Sequence, residues 1–291
     1  MSQSTASRMM LADNAAISTN PLWPSFLDND LVGMREFGRD EGHRGTRQRT
    51  SCRARVLSDA SGGSFSLKAS VTEIDWLLKR YLGSGSGTGG SPWILAEAPA
   101  VYYALVDKVA AKYLYTLMPS KLTIAGSEKQ YLLWTAEATG GAESVWGSAW
   151  PGTPSAPECG TAFLFSDCAL TYSGTAYPLQ SFSLSIDNDI DGQQYENAIT
   201  PTRFESQDAI VQLSFKCALR SDTLALYRAG IAGAAATLVF TDGTTTYTIT
   251  FANLKIPNGG PKIPAKGRIN FDLTAEAYRT AAAEQISIVK S

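Results

Sequence analysis

The apolar and polar positions of residues 64–83, SFSLKASVTEIDWLLKRYLG, change period part-way along. Phe65, Leu67, Ala69 and Val71 alternate with Ser64, Ser66, Lys68 and Ser70, the period of a strand with one buried face. From Ile74 the apolar positions continue at Leu77, Leu78, Tyr81 and Leu82, one stripe of a helix. Ser70 and Glu73 fit a capping box, and Gly83 fits a left-handed C-cap. The stretch therefore predicts a strand feeding a short amphipathic helix.

The same plan returns in residues 211–230, VQLSFKCALRSDTLALYRAG. Leu213, Phe215, Cys217 and Leu219 alternate, Ser214 and Lys216 stand where Ser66 and Lys68 stood, and Leu224, Leu226 and Tyr227 give a shorter apolar face closed by Gly230. The two glycines and the two strands are separated by almost the same interval. That spacing points to a duplicated unit of roughly 145 residues, an ordinary domain size.

The rest of the pattern is short strands with frequent turns, near 51–58, 101–107, 111–117, 120–126, 130–137, 162–172, 177–187, 206–219, 235–241, 244–256 and 267–273. Such spacing predicts sandwiches or barrels. The chain divides into an N-terminal arm (1–25), a first β unit (26–138), a Gly/Pro/Ser-rich linker (139–160) and a second β unit (161–291). The first twenty residues, rich in Ser, Ala and Asn, read as a mobile arm. Residues 28–50 read as a long charged loop, and GSGSGTGGSP at 83–92 reads as a flexible one.

With 44% hydrophobic and 18% charged residues, the chain is a folded protein, not a disordered one. Its net charge is −2, and no charge run reads as a nucleic-acid arm apart from the basic patch between Arg35 and Arg55. No stretch approaches the roughly 18 apolar residues that span a membrane, and the first twenty residues lack the regions of a secretion signal. Cys52, Cys159, Cys168 and Cys217 form no close pair. Cys217 reads as a core residue, a Cys159–Cys168 loop bridge stays open, and so low a Cys content favours a reducing compartment.

Candidate chemistry is sparse. His43, the single histidine, sits in the polar loop and is a poor basis for a His-rich metal site or a triad. Gly85, Gly87 and Gly90 match G-x-G-x-x-G, but a helix precedes them and SPW follows, the reverse of a dinucleotide site. Asp187, Asp189, Asp191 and Gly192 match the first half of a calcium loop. Position twelve is Ala198 and the preceding segment reads as a strand, so a turn is the better reading, with the three aspartates a weak metal candidate. The clusters Trp134/Trp146/Trp150 and Trp93/Tyr102/Tyr103 fit a core or an interface better than a sugar site. Nothing supplies a base, nucleophile or cofactor motif, so neither an enzyme nor a cofactor is expected.

Taken in order, GSFSLKASVTEIDWLLKRYLG, YLYTLMPSKLTIAG, YPLQSFSLSIDNDI and IVQLSFKCALRSDTLALYRAG, together with NPLWPSF and GMREFGRDEG, resemble the major tail-tube proteins of long-tailed bacteriophages. The resemblance runs from about residue 20 to 275. It implies tail-tube-type β-sandwich or barrel units, each with a short flanking helix, that join across subunits around a hollow lumen. It also implies rings stacked into a tube, contacts with terminator, tape-measure and tip proteins, DNA passing through, assembly in the host cytoplasm, and no cofactor. With two units per chain, a trimeric pseudo-sixfold ring is expected, the alternative being a hexamer of single-domain subunits. Trp23, Arg35, Arg39, Arg44 and Arg47 are the expected inter-ring contacts, and the lumen is expected to be smooth and mildly acidic, because lysines and arginines would hold phosphates. The rival readings are a carbohydrate-binding or adhesin sandwich and another tail component, a tip or terminator protein.

Overall fold

The computed structural model describes residues 8–17, 21–38, 55–108, 111–151, 160–218 and 270–291, residues 230–262, and the single positions 223, 226 and 228; the side chains of residues 193 and 258–262 are outside it. The fold is mainly β, a sandwich with, among the described residues, one full helix, α1 (Val71–Leu82).

The expected strand–helix junction forms as the pattern dictates. Strand β4 (Val56–Leu67) buries Phe65 and Leu67 and passes directly into α1. The Ser70 N–H donates to Glu73 Oε2 at 2.7 Å, while Ser70 Oγ has no hydrogen-bond partner. Gly83, at φ 80°, closes the helix and donates to the Lys79 carbonyl. In the second occurrence, strand β16 (Ile210–Ala218) buries Val211, Leu213, Phe215 and Cys217. The described positions after it, Thr223, Leu226, Arg228 and Gly230, are helical.

One strand series runs β7 (Tyr102–Lys108), β8 (Ala111–Ser127), β9 (Leu133–Gly140) and β10 (Ser144–Trp146). The other runs β17 (Ala234–Thr241), β18 (Thr246–Lys262), β19 (Asn270–Tyr278) and β20 (Ile286–Lys290). Both series pair alike. The N-terminal half of β8 lies between β7 and β10, and its C-terminal half lies beside β9. The N-terminal half of β18 lies between β17 and β20, and its C-terminal half lies beside β19. β4 then adds to β9 as β16 adds to β19. Both 17-residue strands carry a register shift mid-way, at Pro119/Lys121 and at Lys255/Asn258. A bulge of this kind bends a strand, so that one strand serves two layers.

Strand β13 (Leu179–Asp187) joins the two series, pairing with β16 on one side and with Lys121–Ser127 of β8 on the other. On the far side of β4 lie β2 (Phe26–Asn29) and β3 (Val32–Phe37). A continuous sheet results, in the order β2/β3–β4–β9–β8–β13–β16–β19–β18. Its apolar face supplies Phe65, Trp134, Ile124, Leu184, Leu213 and Leu273 to one large core. Against that core lie α1 and the second layer, with Phe240 edge-on to Trp134 at 6.0 Å and to Phe163 at 5.2 Å.

Several segments depart from the pattern-based reading. Met9–Ala12 is not a mobile arm but a strand, β1, buried at all four positions and paired with β7. MMLA has no alternation because both of its faces are covered, Met9 and Leu11 in the main core, Met10 and Ala12 in a satellite one. Of the loop expected at 28–50, residues 28–29 end β2 and residues 32–37 form β3. The strands expected at 111–117 and 120–126 are one, because the bulge accommodates Pro119. The glycine-rich 83–92 segment is an ordered turn between β5 (Gly83–Ser84) and β6 (Trp93–Leu95). Gly85 and Gly87 have φ of 94° and 80°, and a Cβ on Gly87 would sit 2.2 Å from the Trp93 ring. The start of the 139–160 segment belongs to β9 and β10, and residues 152–159, with Cys159, lie outside the described residues. So do His43 and Cys52.

Candidate functional surface

The face of the continuous sheet opposite the core is built mainly from small polar and charged residues, with Leu133 and Ile210 as exposed apolar exceptions. Directly opposed residues of antiparallel strands share a face, so the register reads out as rows. Ser66, Thr135, Thr123, Ser185, Gln212 and Glu276 form one row across β4, β9, β8, β13, β16 and β19. Ala125, Ser183, Ser214 and Thr274 form a second, with Ser214 Oγ 3.3 Å from Thr274 Oγ1. Ser127, Ser181, Lys216 and Asp272 form a third, and Ser64, Glu137, Lys121 and Asp187 a fourth.

Charges on this face are opposed in pairs. Lys121 stands between Glu137 and Asp187, with Nζ 3.7 Å from Asp187 Oδ2. Lys216 is opposite Asp272, and Lys255 of β18 is opposite Glu276. Lys121, Lys216 and Lys255 therefore each have a carboxylate as a cross-strand neighbour, while Lys262 of β18 is opposite Asn270. The sequence displays the serines of this face through its alternation at 181, 183 and 185, but the lysine–carboxylate oppositions depend on long-range register and escape a sequence reading.

Asp187, Asp189 and Asp191 are engaged in a turn. Asp187 Oδ1 accepts the Asp189 N–H at 3.1 Å, Asp189 takes a left-handed φ of 43°, and Asp191 Oδ2 accepts from Gln194 Nε2 at 3.2 Å. This is a turn from β13 into the hairpin of β14 (Ile190–Gln194) and β15 (Arg203–Ser206). Buried Asn188 anchors it by donating to the carbonyls of Tyr81, at 3.0 Å, and Pro119, at 3.2 Å. Among the described residues no three His, Cys, Asp or Glu side chains are grouped to hold a metal ion.

Of the expected inter-ring residues, Arg35 and Trp23 are described; Arg39, Arg44 and Arg47 lie outside the described residues. Arg35 Nε donates to Asp59 Oδ2 at 3.1 Å, which raises the guanidinium pKa above its ordinary value, and a second nitrogen lies 3.8 Å from Glu143. Arg35 also lines a cleft of about 510 Å³ between β3 and the β14–β15 hairpin, with Met34, Ala60 and Tyr195. Around this projecting β3–β4 ribbon Val32, Met34, Phe37 and Leu57 are exposed. Trp23 is tilted against Trp150 at 5.1 Å, over the satellite core of Met10, Ala12, Ile17 and Leu105 that Trp146 also covers. These tryptophans cover apolar surface of their own chain, the arrangement expected of core residues. The thiol of Cys168 is pushed up to about 12, mainly by burial, so it stays neutral.

The fold thus presents a broad polar sheet, with edges that meet no further strand among the described residues, and the β3–β4 ribbon. The sequence model of the phage tail tube protein family matches residues 33–277. The chain belongs to this family. No curated protein matches it. A tail tube protein has a structural role in the virion tail, and the matched region covers β3 through β19, most of the polar face included. No helix among the described residues is long and apolar enough to cross a membrane.

Proposed function

We propose that the polar face lines the lumen of a ring built from three copies of the chain, each contributing two tube-type units, and that stacked rings form the conduit for phage DNA. The observation that carries this reading is the recurrence of one pairing plan in β4–β7–β8–β9–β10 and β16–β17–β18–β19–β20, joined by β13 into a single sheet. A chain that already sets two such units edge to edge needs only three copies for a pseudo-sixfold closure. Closing three eight-stranded sheets at ordinary strand spacing and tilt gives a barrel roughly 45–50 Å across at the backbone, wide enough for a double helix.

The chemistry of the face supports transit over capture. Phosphate binding is driven by lysines and arginines that release counterions; here Lys121, Lys216 and Lys255 are each set against a carboxylate, and serines and threonines make up much of the rest. This refines the expected acidic wall into a charge-compensated one. The projecting β3–β4 ribbon, with Arg35 and the exposed apolar residues around it, supplies the contact to the next ring. Terminator, tape-measure and tip proteins meet the tube at its ends and within it, and assembly takes place in the host cytoplasm.

Negative-stain electron microscopy of the purified protein, with symmetry analysis of end-on views, tests the reading. Rings or tubes with a central hole and threefold averages are expected. Discrete monomers at high concentration would overturn the reading, and true sixfold rings of six chains would overturn the trimer.

A further inference from the structure

Resting on the ring reading above, the two ends of the continuous sheet identify the seam between copies. The C-terminal half of β8 is flanked on both sides, by β9 and by β13. β18 repeats the neighbours of β8 but lacks the second flank: beyond Leu254, its β17 side meets no strand among the described residues. At the opposite end, β2 pairs with β4 as β13 pairs with β16, and its outer side also meets no strand among the described residues. Leu27, in that outer strand, is 57% exposed.

We infer that these two edges join between copies, with Asn258–Lys262 of one chain running antiparallel to residues 25–30 of the next and reproducing the internal β8–β13 seam. The register follows from three correspondences. Ser66 and Ser214 occupy the same place in FSLK and LSFK. Asp28 pairs with Ser66 as Ser183 pairs with Ser214. Thr123 reaches Ser66 through Thr135, just as Asn258 reaches Ser214 through Thr274. The sequences flanking these positions agree, Ser25-Phe26 matching Ser181-Phe182. Inside the chain Ala125 faces Ser183; the same register sets Gly260 of one copy opposite Asp28 of the next.

The physical drive is the row of unpaired N–H and C=O groups that an open edge exposes, which a closed barrel removes. Pro261 contributes a carbonyl but no N–H to its strand, a residue that sheets accept on edge strands and at bulges. A second copy is the fitting occupant because the chain already makes this junction once with its own strands.

The test is a disulfide pair, Asp28→Cys with Gly260→Cys, oxidised after assembly and run without reductant, with each single variant as background. A ladder of covalent dimers and closed trimers is expected, while the control pair Ala125→Cys with Ser183→Cys bridges within one chain and leaves the mass unchanged. On the unmodified protein, amide exchange should slow at residues 27–29 and at Gly259, Gly260 and Lys262 by tenfold or more on assembly. Rings without the ladder and without this protection overturn the seam and leave the ring reading intact. Failure of the unmodified protein to form rings overturns the ring reading itself. A ladder ending at six chains retains the seam and overturns the trimer.

Discussion

The Tyr247 hydroxyl donates to Asp75 Oδ1 at 2.6 Å, tying β18 in the second half of the chain to α1 in the first. Lys290 Nζ lies 2.5 Å from the other Asp75 oxygen, so β20 closes on the same carboxylate. On its other side α1 is held by Tyr81, whose hydroxyl donates to the Glu137 carbonyl at 2.9 Å, and by Trp76, edge-on to Tyr102 at 5.3 Å. Helix α1 thus bolts both strand series together, and the two halves should unfold as one cooperative body.

Asp75→Ala removes the nearer, charged acceptor of a largely buried phenol, which keeps only the Val71 carbonyl at 3.2 Å, and removes the partner of Lys290. Loss of such a charge-assisted bond costs about 1.5–3 kcal/mol, and the partly exposed Lys290 pair adds little. Urea denaturation of the unassembled protein should show one transition shifted to lower denaturant. An unchanged midpoint, or two separate transitions, would contradict the bolt.

The Tyr247 phenol is held above its ordinary pKa by burial first and by the hydrogen bond to Asp75 second. Tyr81, Tyr102 and Tyr115 are raised as well, each chiefly by burial. Their folded pKa values exceed the unfolded value of about 10. The stability they contribute is therefore fully present below about pH 10 and is lost as pH rises through the folded values. Stability should hold level through neutral pH and fall above about pH 10, with the share of tyrosinate absorbance that Tyr247→Phe removes appearing together with unfolding. Appearance of that share well before unfolding would refute the assignment.

Asn188→Ala leaves the Tyr81 and Pro119 carbonyls without their donor, at a cost of about 1–3 kcal/mol. Asp189→Ala, on the exposed side of the same turn, should cost less. Added Ca²⁺ should not raise the melting temperature of the unmodified protein. A calcium-dependent rise abolished by Asp187→Asn would reinstate the cation site.

Asp272→Asn with Glu276→Gln removes the carboxylates opposed to Lys216 and Lys255. Assembled particles of this variant should retain duplex DNA at low salt, with affinity falling steeply as salt rises, whereas the unmodified tube should not. Equal DNA retention by both would show that the face does not meet DNA.

Arg35→Glu places like charges beside Asp59 and Glu143 and should weaken ring stacking while leaving single rings intact. Tubes of normal length, measured by electron microscopy, would remove Arg35 from the inter-ring contact.

Period-2 alternation in SFSLSID and VQLSFKCA was sufficient to specify strands with one buried face, and the change of period at Ser70 specified the helix and its caps, because these signals depend only on neighbours a few residues apart. The matching FSLK and LSFK motifs likewise disclosed a repeated plan. Tertiary structure alone decided that Met9–Ala12 and Ile286–Lys290 are strands, since a segment covered on both faces or added at an edge carries little local pattern. It also decided that Gly85 and Gly87 form an ordered turn, because the reason, Trp93 packed beneath them, is a contact made only on folding. The opposition of Lys121 to Asp187 and of Lys216 to Asp272 belongs to the same class. Which side chains face one another across a sheet is set by register between strands far apart in sequence, and register is fixed by the shared core, not by either strand alone.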